Sequence, residues 1–206
     1  MNILILGATG RVGSQIVTYA LQDGHHVTLL VRTPEKIQIN HENLTIIQGN
    51  VLNKDDLIRA MDGIDIVISA LNTDGTTTLS ESMLLIIDTM ENKGIKRIVT
   101  IGTAGILQSR TTPSVLRYQS SESKRKSTRA AEEHHKVYDL LKHSTLDWTI
   151  VCPTYLPDGE RLGKYRVERD FLPVDGVKIT VSDTAEFAYR QIQSNNYIKS
   201  RVGIAY

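Results

Sequence analysis

The chain is expected to fold as an α/β protein, a doubly wound parallel sheet with helices on both faces. Three observations predict this. Ile3-Leu4-Ile5-Leu6 is a short apolar run with no polar face, the pattern of a strand buried inside a parallel sheet. Glycines follow at 7, 10 and 13, and Val12, Ile16, Val17, Ala20 and Leu21 then fall at helical spacing. Beyond them, apolar runs and helical stretches alternate along most of the chain.

Gly7-Ala8-Thr9-Gly10-Arg11-Val12-Gly13 carries the strongest chemical signal. A helix N-terminus has unpaired N–H groups and a partial positive charge, which suit a pyrophosphate. Gly7 permits a tight turn, Gly10 lets a phosphate approach the backbone, and Gly13 lets the helix lie close to the strand. Thr9 adds a hydroxyl and Arg11 a cation beside the phosphates. The spacing is G-x-x-G-x-x-G rather than G-x-G-x-x-G. A strand before and a helix after are what distinguish a dinucleotide-binding turn from an ordinary glycine-rich one.

The second strand is expected over His25 to Val31, ending at Arg32-Thr33-Pro34-Glu35-Lys36. In a dinucleotide-binding unit this strand end meets the adenosine ribose. An acid there suits the free 2′-hydroxyl of NAD, and an Arg suits the 2′-phosphate of NADP. Arg32, with Lys36 close behind, favours NADP(H) over NAD(H). A third strand spans Leu44 to Gln48, followed by Gly49-Asn50-Val51. Asn53 can cap a helix that runs to about Met61, with Asp55 and Asp56 complementing its dipole. Asp65 to Ser69 is a fourth strand, and the polar loop from Ala70 to Gly75 leaves its C-terminal end, where ligands sit in open α/β sheets.

A long helix is expected from Thr78 to Asn92, with Leu79, Met83, Ile86 and Met90 as its apolar stripe and Leu84 and Ile87 widening it. That stripe suits packing on the sheet better than a dimer seam, so a monomer or weak dimer is expected. Gly94 ends the helix, and Lys96 to Ile101 is the fifth strand. Gln108 to Ser127 is polar and is expected as an exposed loop over the cofactor cleft, leading into a helix to about Lys142 with Val137, Leu140 and Leu141 inward. Asp147 to Cys152 is the sixth strand. Past it, Lys164 to Arg169, Val177 to Val181 and Arg201 to Ala205 are expected as strands, and Asp183 as the cap of a helix over Thr184 to Ser194. These later segments form a small substrate-side part of one domain, residues 1–206.

Bulk properties exclude several classes. The formal charge is +1, and Lys124-Arg125-Lys126 is an isolated basic cluster, too little for nucleic acid as a partner. No stretch suits a membrane span. Cys152 stands alone, which suits a reducing compartment, and a cytoplasmic location is expected. No metal site is expected.

With these pieces placed, the chain resembles the atypical short-chain dehydrogenase/reductases. It looks most like the NAD(P)H-binding group that includes biliverdin reductase B (flavin reductase) and NmrA-like proteins. The marks are Gly7 to Gly13, Val31-Arg32, Gly49-Asn50-Val51, Leu146-Asp147-Trp148-Thr149-Ile150-Val151-Cys152-Pro153, and the closing segment from Ser182-Asp183 to Tyr206. The resemblance implies a Rossmann-type fold, with pyrophosphate at Thr9 to Val12, the 2′-phosphate at Arg32 and adenine beside Asn50 and Val51. It implies that Ala70, Leu71 and Asn72 border the ribose and phosphates, and that Pro153, Thr154 and Tyr155 form the turn passing the nicotinamide.

The resemblance also implies catalytic positions. Thr103 takes the place of the family's Ser or Thr after the fifth strand. His134 stands at the Lys of Tyr-x-x-x-Lys, and Ala130 stands where the Tyr belongs. The usual phenol donor is therefore missing, with Tyr155 as a candidate substitute. The implied function is NADPH-dependent hydride transfer to a small conjugated acceptor of flavin or quinone type. The alternative is a non-catalytic NADP(H) sensor of the NmrA-like kind.

Overall fold

A computed structural model describes residues 1–206. Eight strands form one sheet: β1 Asn2–Leu6, β2 His26–Val31, β3 Leu44–Gln48, β4 Ile66–Ser69, β5 Arg97–Ile101, β6 Asp147–Pro153, β7 Arg166–Arg169 and β8 Ser200–Ala205. Their spatial order is β3-β2-β1-β4-β5-β6-β8-β7. All neighbours are parallel except β7, which runs antiparallel to β8. This is the doubly wound Rossmann arrangement, and the order reverses between β1 and β4. A crevice opens at that reversal, beyond the strands' C-terminal ends.

Five helices cover the sheet: α1 Arg11–Gln22, α2 Lys54–Ala60, α3 Thr78–Lys93, α4 Arg129–His143 and α5 Val181–Arg190. One apolar core joins α1 and α5 to one face through Ile16, Val17, Val181 and Ala188. The other joins α2, α3 and α4 to the opposite face through Leu57, Met83, Ile86 and Leu141. Alternate residues of each central strand feed the two cores, which is why those strands are apolar throughout.

The first half follows the sequence expectation closely, with Asn53 capping α2 through Asp55 N and Asp56 N, and Gly94 ending α3 at φ 72°. Four corrections apply elsewhere. Leu84 does not widen the inward stripe of α3: it is 54% exposed, on the side turned toward α4. Val177 to Val181 is not a strand; only Lys178 bridges to Tyr155. Ile179 and Val181 are buried because they enter α5, whose cap is Thr180, not Asp183. That helix closes at Arg190, where Gln191 N turns back to Ala188 O.

The fourth correction concerns Gln108 to Ser127. This segment does not cover the nucleotide cleft. It folds beside β7, where Gln108 N donates to Asp170 O at 2.8 Å and Arg110 pairs with Glu168. The Gln108 amide donates to Pro113 O and Val115 O at 2.6 and 2.8 Å, which turns the chain back on itself. Gln108 and Ser109 make local bonds, while Thr111 to Ser114 and Lys124 to Ser127 are exposed, as expected for most of the stretch.

Candidate nucleotide-binding site

The crevice at the β1/β4 reversal encloses about 270 Å³. At one end lie Gly7, Ala8, Thr9 and Gly10, the turn from β1 into α1. Gly7 has φ +78°, and a Cβ there would stand 2.4 Å from Ala70 O. Only glycine lets β1's exit pass so close to the loop after β4. A Cβ on Gly13 would meet Gly7 O at 2.2 Å, so that glycine seats α1 on the strand without facing the crevice. Val12 turns into the core.

The start of α1 is open. Gly10 is its N-cap in extended conformation, no side chain caps the helix, and no acid stands in its first turn. Its first N–H groups are therefore left for an anion at the crevice. By contrast, α2 and α5 have side-chain caps from Asn53 and Thr180.

At the other end lie Arg32, Thr33 and Lys36, just past β2. No carboxylate follows β2 before Glu35, and Asp74 is the acidic residue in the crevice wall. Asn50, Val51 and Leu52 form one wall, and Ala70, Leu71 and Asn72 the other. The Asn50 Oδ1 accepts the Leu52 N–H at 3.0 Å, so one of its lone pairs is already engaged in a local turn. The crevice thus offers an uncapped helix start, a two-cation end and a slot between them, which fits a nicotinamide dinucleotide.

Three residues that support this wall escaped the sequence reading as site elements. Asp56 Oδ2 accepts the Asn50 N–H at 2.8 Å, and its Oδ1 takes Arg59 at 3.0 Å. Arg59 also donates to Gln48 O at 2.9 Å. A Cβ on Gly49 would collide with Leu30 and Asp56 at 2.7 and 2.8 Å, so Gly49 lets the β3 exit pass against α2. The signal lay in the Gly-Asn pair with an Asp six residues on, the third residue of a capped helix.

The remaining expected site residues are not in this crevice. Arg11 turns away, donating to Leu156 O at 3.1 Å and pairing with Asp158 at 3.0 Å in the loop after β6. Pro153 is buried at the end of β6 beside Ile204, and Thr154 reaches Val177 O. Thr103 follows β5, where its hydroxyl receives the Gly105 N–H. Tyr155 is 59% exposed and held only through its backbone, which pairs with Lys178 and accepts from Ile179. His134 is not on a solvent face: it is 8% exposed, and burial lowers its pKa to about 4.

A family profile described as NAD(P)H-binding matches residues 7–195. The chain belongs to the NAD(P)H-binding family. This family is of oxidoreductase type. A relative of similar length is the uncharacterized protein YwnB of Bacillus subtilis, 26% identical over 91% of this chain and 89% of that one. The photosystem II assembly factor Ycf39 of Synechocystis is 36% identical, over 48% of this chain and 32% of that protein. The chain spans about a third of the length of most curated relatives it matches, as with the phenylcoumaran benzylic ether reductase of Nicotiana tabacum, at 33% of that protein.

Among solved structures, a protein from Streptococcus pneumoniae described as a proposed NADH-flavin reductase superposes with a TM-score of 0.84. It is 26% identical, with 100% of this chain and 99% of that one covered. A short-chain dehydrogenase/reductase of Veillonella parvula, solved with NADP, superposes at 0.82 over 100% of this chain and 94% of that one; at 18% identity it shows the shared fold alone. No helix of the chain is long and apolar enough to cross a membrane.

Proposed function

We propose that this chain is an NADPH-dependent reductase that passes hydride to a planar, conjugated small molecule of flavin or quinone type. The observation that carries the cofactor choice is the cationic end of the crevice. Arg32 and Lys36 flank it directly after β2, at the place where an NAD-specific site carries a carboxylate. The nicotinamide, when bound, supplies the hydride.

The chain's own residues hold and orient. The α1 start and Thr9 receive the pyrophosphate, Arg32 and Lys36 the 2′-phosphate. Asn50 and Val51 flank the adenine, while Ala70, Leu71 and Asn72 close the opposite wall. Thr103 and Tyr155 border the reacting face, and Tyr155, being exposed, presents its ring to an incoming acceptor. His134 packs beneath as a neutral group. The buried Cys152 thiol, pushed up to about 12 by burial, takes no part.

Two measurements test this reading. Calorimetry should give tighter binding of NADPH than NADH, and Arg32→Ala should weaken NADPH by about 10–100-fold, the worth of one charge-assisted bond, with little change for NADH. NADPH oxidation is then followed against a panel of flavins and quinones. Absence of turnover with every acceptor, despite tight binding, defeats the reductase reading.

A second reading has one specific observation behind it. Ala130 stands exposed where the family tyrosine belongs, and His134 is buried and neutral at the lysine position. A cofactor sensor needs neither group. Equal affinity for NADP⁺ and NADPH without turnover favours that reading.

A further inference from the structure

Arg11 is the first residue of α1 and follows Gly10, which lines the crevice. Its guanidinium leaves the crevice for the connection between β6 and α5. There Nη1 donates to Leu156 O at 3.1 Å and to Asp158 Oδ1 at 3.0 Å. Both side chains of the ion pair are open to solvent, Arg11 at 57% and Asp158 at 80%. The other cation between Pro153 and Gly163 is Arg161, which is committed to Glu186 at 3.2 Å. Arg11 is thus the cation that answers Asp158.

Asp158 is the fixed member of the pair. On one side of it Pro157 O accepts the Val181 N–H at 3.1 Å, and on the other Gly159 O accepts the Ser182 hydroxyl at 2.8 Å. A Cβ on Gly159 would stand 3.0 Å from Thr180 Cγ2, so the loop lies close against the start of α5. Leu156 packs on the core that α1 and α5 share. Arg11, by contrast, is a long side chain with most of its surface in solvent. An exposed ion pair of this kind is weak enough to exchange partners.

The first turn of α1 has no acid, whereas α2 has Asp55 and Asp56 there and α5 has Asp183. Helix starts favour an anion. Asp158 brings one within an arginine's reach of the α1 start, from 147 residues away. The diphosphate of a dinucleotide brings the same sign of charge to the same helix start.

We infer that Asp158 is a built-in competitor for the nucleotide: its carboxylate and the diphosphate share Arg11 as counter-ion, so Asp158 sets how tightly the cofactor is held. This rests on cofactor binding at the α1 start and not on the nature of the hydride acceptor. As the diphosphate arrives, Arg11 exchanges one anion for the other; as it leaves, Asp158 reclaims the guanidinium. The attraction of Arg11 for the cofactor is partly offset by the pair that breaks, which hastens release. Release of spent cofactor is a step that limits many enzymes.

Calorimetric titration of the full chain with NADPH tests this through a double-mutant cycle. Asp158→Asn is expected to tighten NADPH about 2–5-fold, the worth of an exposed ion pair, with the gain seen as a slower koff in stopped-flow displacement. Arg11→Ala is expected to weaken NADPH about 10-fold, the low end for a charge-assisted hydrogen bond. With Arg11 already removed, Asp158→Asn is expected to change nothing. Circular dichroism verifies that each variant is folded. Unaltered or weaker binding in a folded Asp158→Asn overturns the competition. So does equal tightening in the Arg11→Ala background, which makes Asp158 a distant charge rather than the other partner of Arg11. A wild type that binds neither NADPH nor NADH overturns the cofactor reading and the competitor with it.

Discussion

Gly13 is defined by a collision rather than by a ligand. A methyl group there would stand 2.2 Å from the Gly7 carbonyl oxygen, a backbone atom with no freedom to move aside. Gly13→Ala is expected to cost about 1–3 kcal/mol, the range for overpacking, and to lift α1 from β1. Urea unfolding monitored by circular dichroism checks this; an unchanged midpoint defeats it. His134 makes the complementary point for charge. Its pKa falls from 6.5 in the unfolded chain to about 4 in the folded one, because burial penalises the cation. Between those values the unfolded chain binds a proton that the native chain refuses, so stability is full above pH 6.5 and falls as pH drops toward 4. The loss is on the order of 3 kcal/mol across that window. His134→Gln should flatten this slope in stability measured from pH 7 to pH 4, and an identical slope in the variant contradicts the assignment.

At the scale of elements, α2 works as a bracket for the Asn50–Leu52 wall of the crevice. Asn53 caps it, and Asp56, two residues into the helix, takes the Asn50 N–H and Arg59 together. Asp56→Ala leaves that N–H and the Arg59 guanidinium without their acceptor. It is expected to cost about 1–2 kcal/mol in stability and to weaken NADPH binding more than it weakens quinone binding. Parallel thermal melts and calorimetric titrations decide it; a stability loss with cofactor affinity untouched removes Asp56 from the site. Elements of this kind show why the first hundred residues were legible. Strands buried on both faces are continuous apolar runs, and each helix there starts or stops on a local signal such as Asn53 or Gly94. The Gly7 turn, Arg32, Asn50 and the Ala70–Asn72 loop converge because topology alone carries strand ends to one crevice. Arg11 did not follow, because its partner Asp158 lies 147 residues away and no spacing rule reaches that far. The polar stretch from Gln108 failed for the same reason: its bonds to Asp170 and Glu168 depend on where β7 lies.

At the scale of the whole molecule, the C-terminal third is tied together by one buried carboxylate. Asp183 is fully buried near the start of α5 and accepts from Leu162 N at 3.0 Å and Gly163 N at 2.9 Å. Tyr206, after β8, donates its hydroxyl to the same group, and Thr180 adds another. Burial alone would raise the Asp183 pKa, but these donors, Tyr206 foremost, more than reverse it and hold the carboxyl below its usual range. The 160–163 loop, α5 and the chain end are thereby fixed to one another, and with them the 178–179 stretch that pairs with Tyr155. Because the folded pKa is depressed, the stabilisation is present above the unfolded carboxyl's titration near pH 4 and disappears as acid protonates the native group. Asp183→Ala strands two backbone N–H groups and two hydroxyls at once, and a cost of about 2–4 kcal/mol is expected at pH 7. Amide hydrogen exchange locates it: protection should fall at Leu162, Gly163 and through α5, while β1, β4 and the Gly7 turn keep theirs. Uniform loss across the sheet instead means that Asp183 supports the whole fold rather than its C-terminal part. If the expected pattern holds, the proposed reductase keeps its NADPH affinity while quinone turnover declines, since the crevice is lined by residues between Gly7 and Thr78 and the Asp183 ties hold the chain beyond Tyr155.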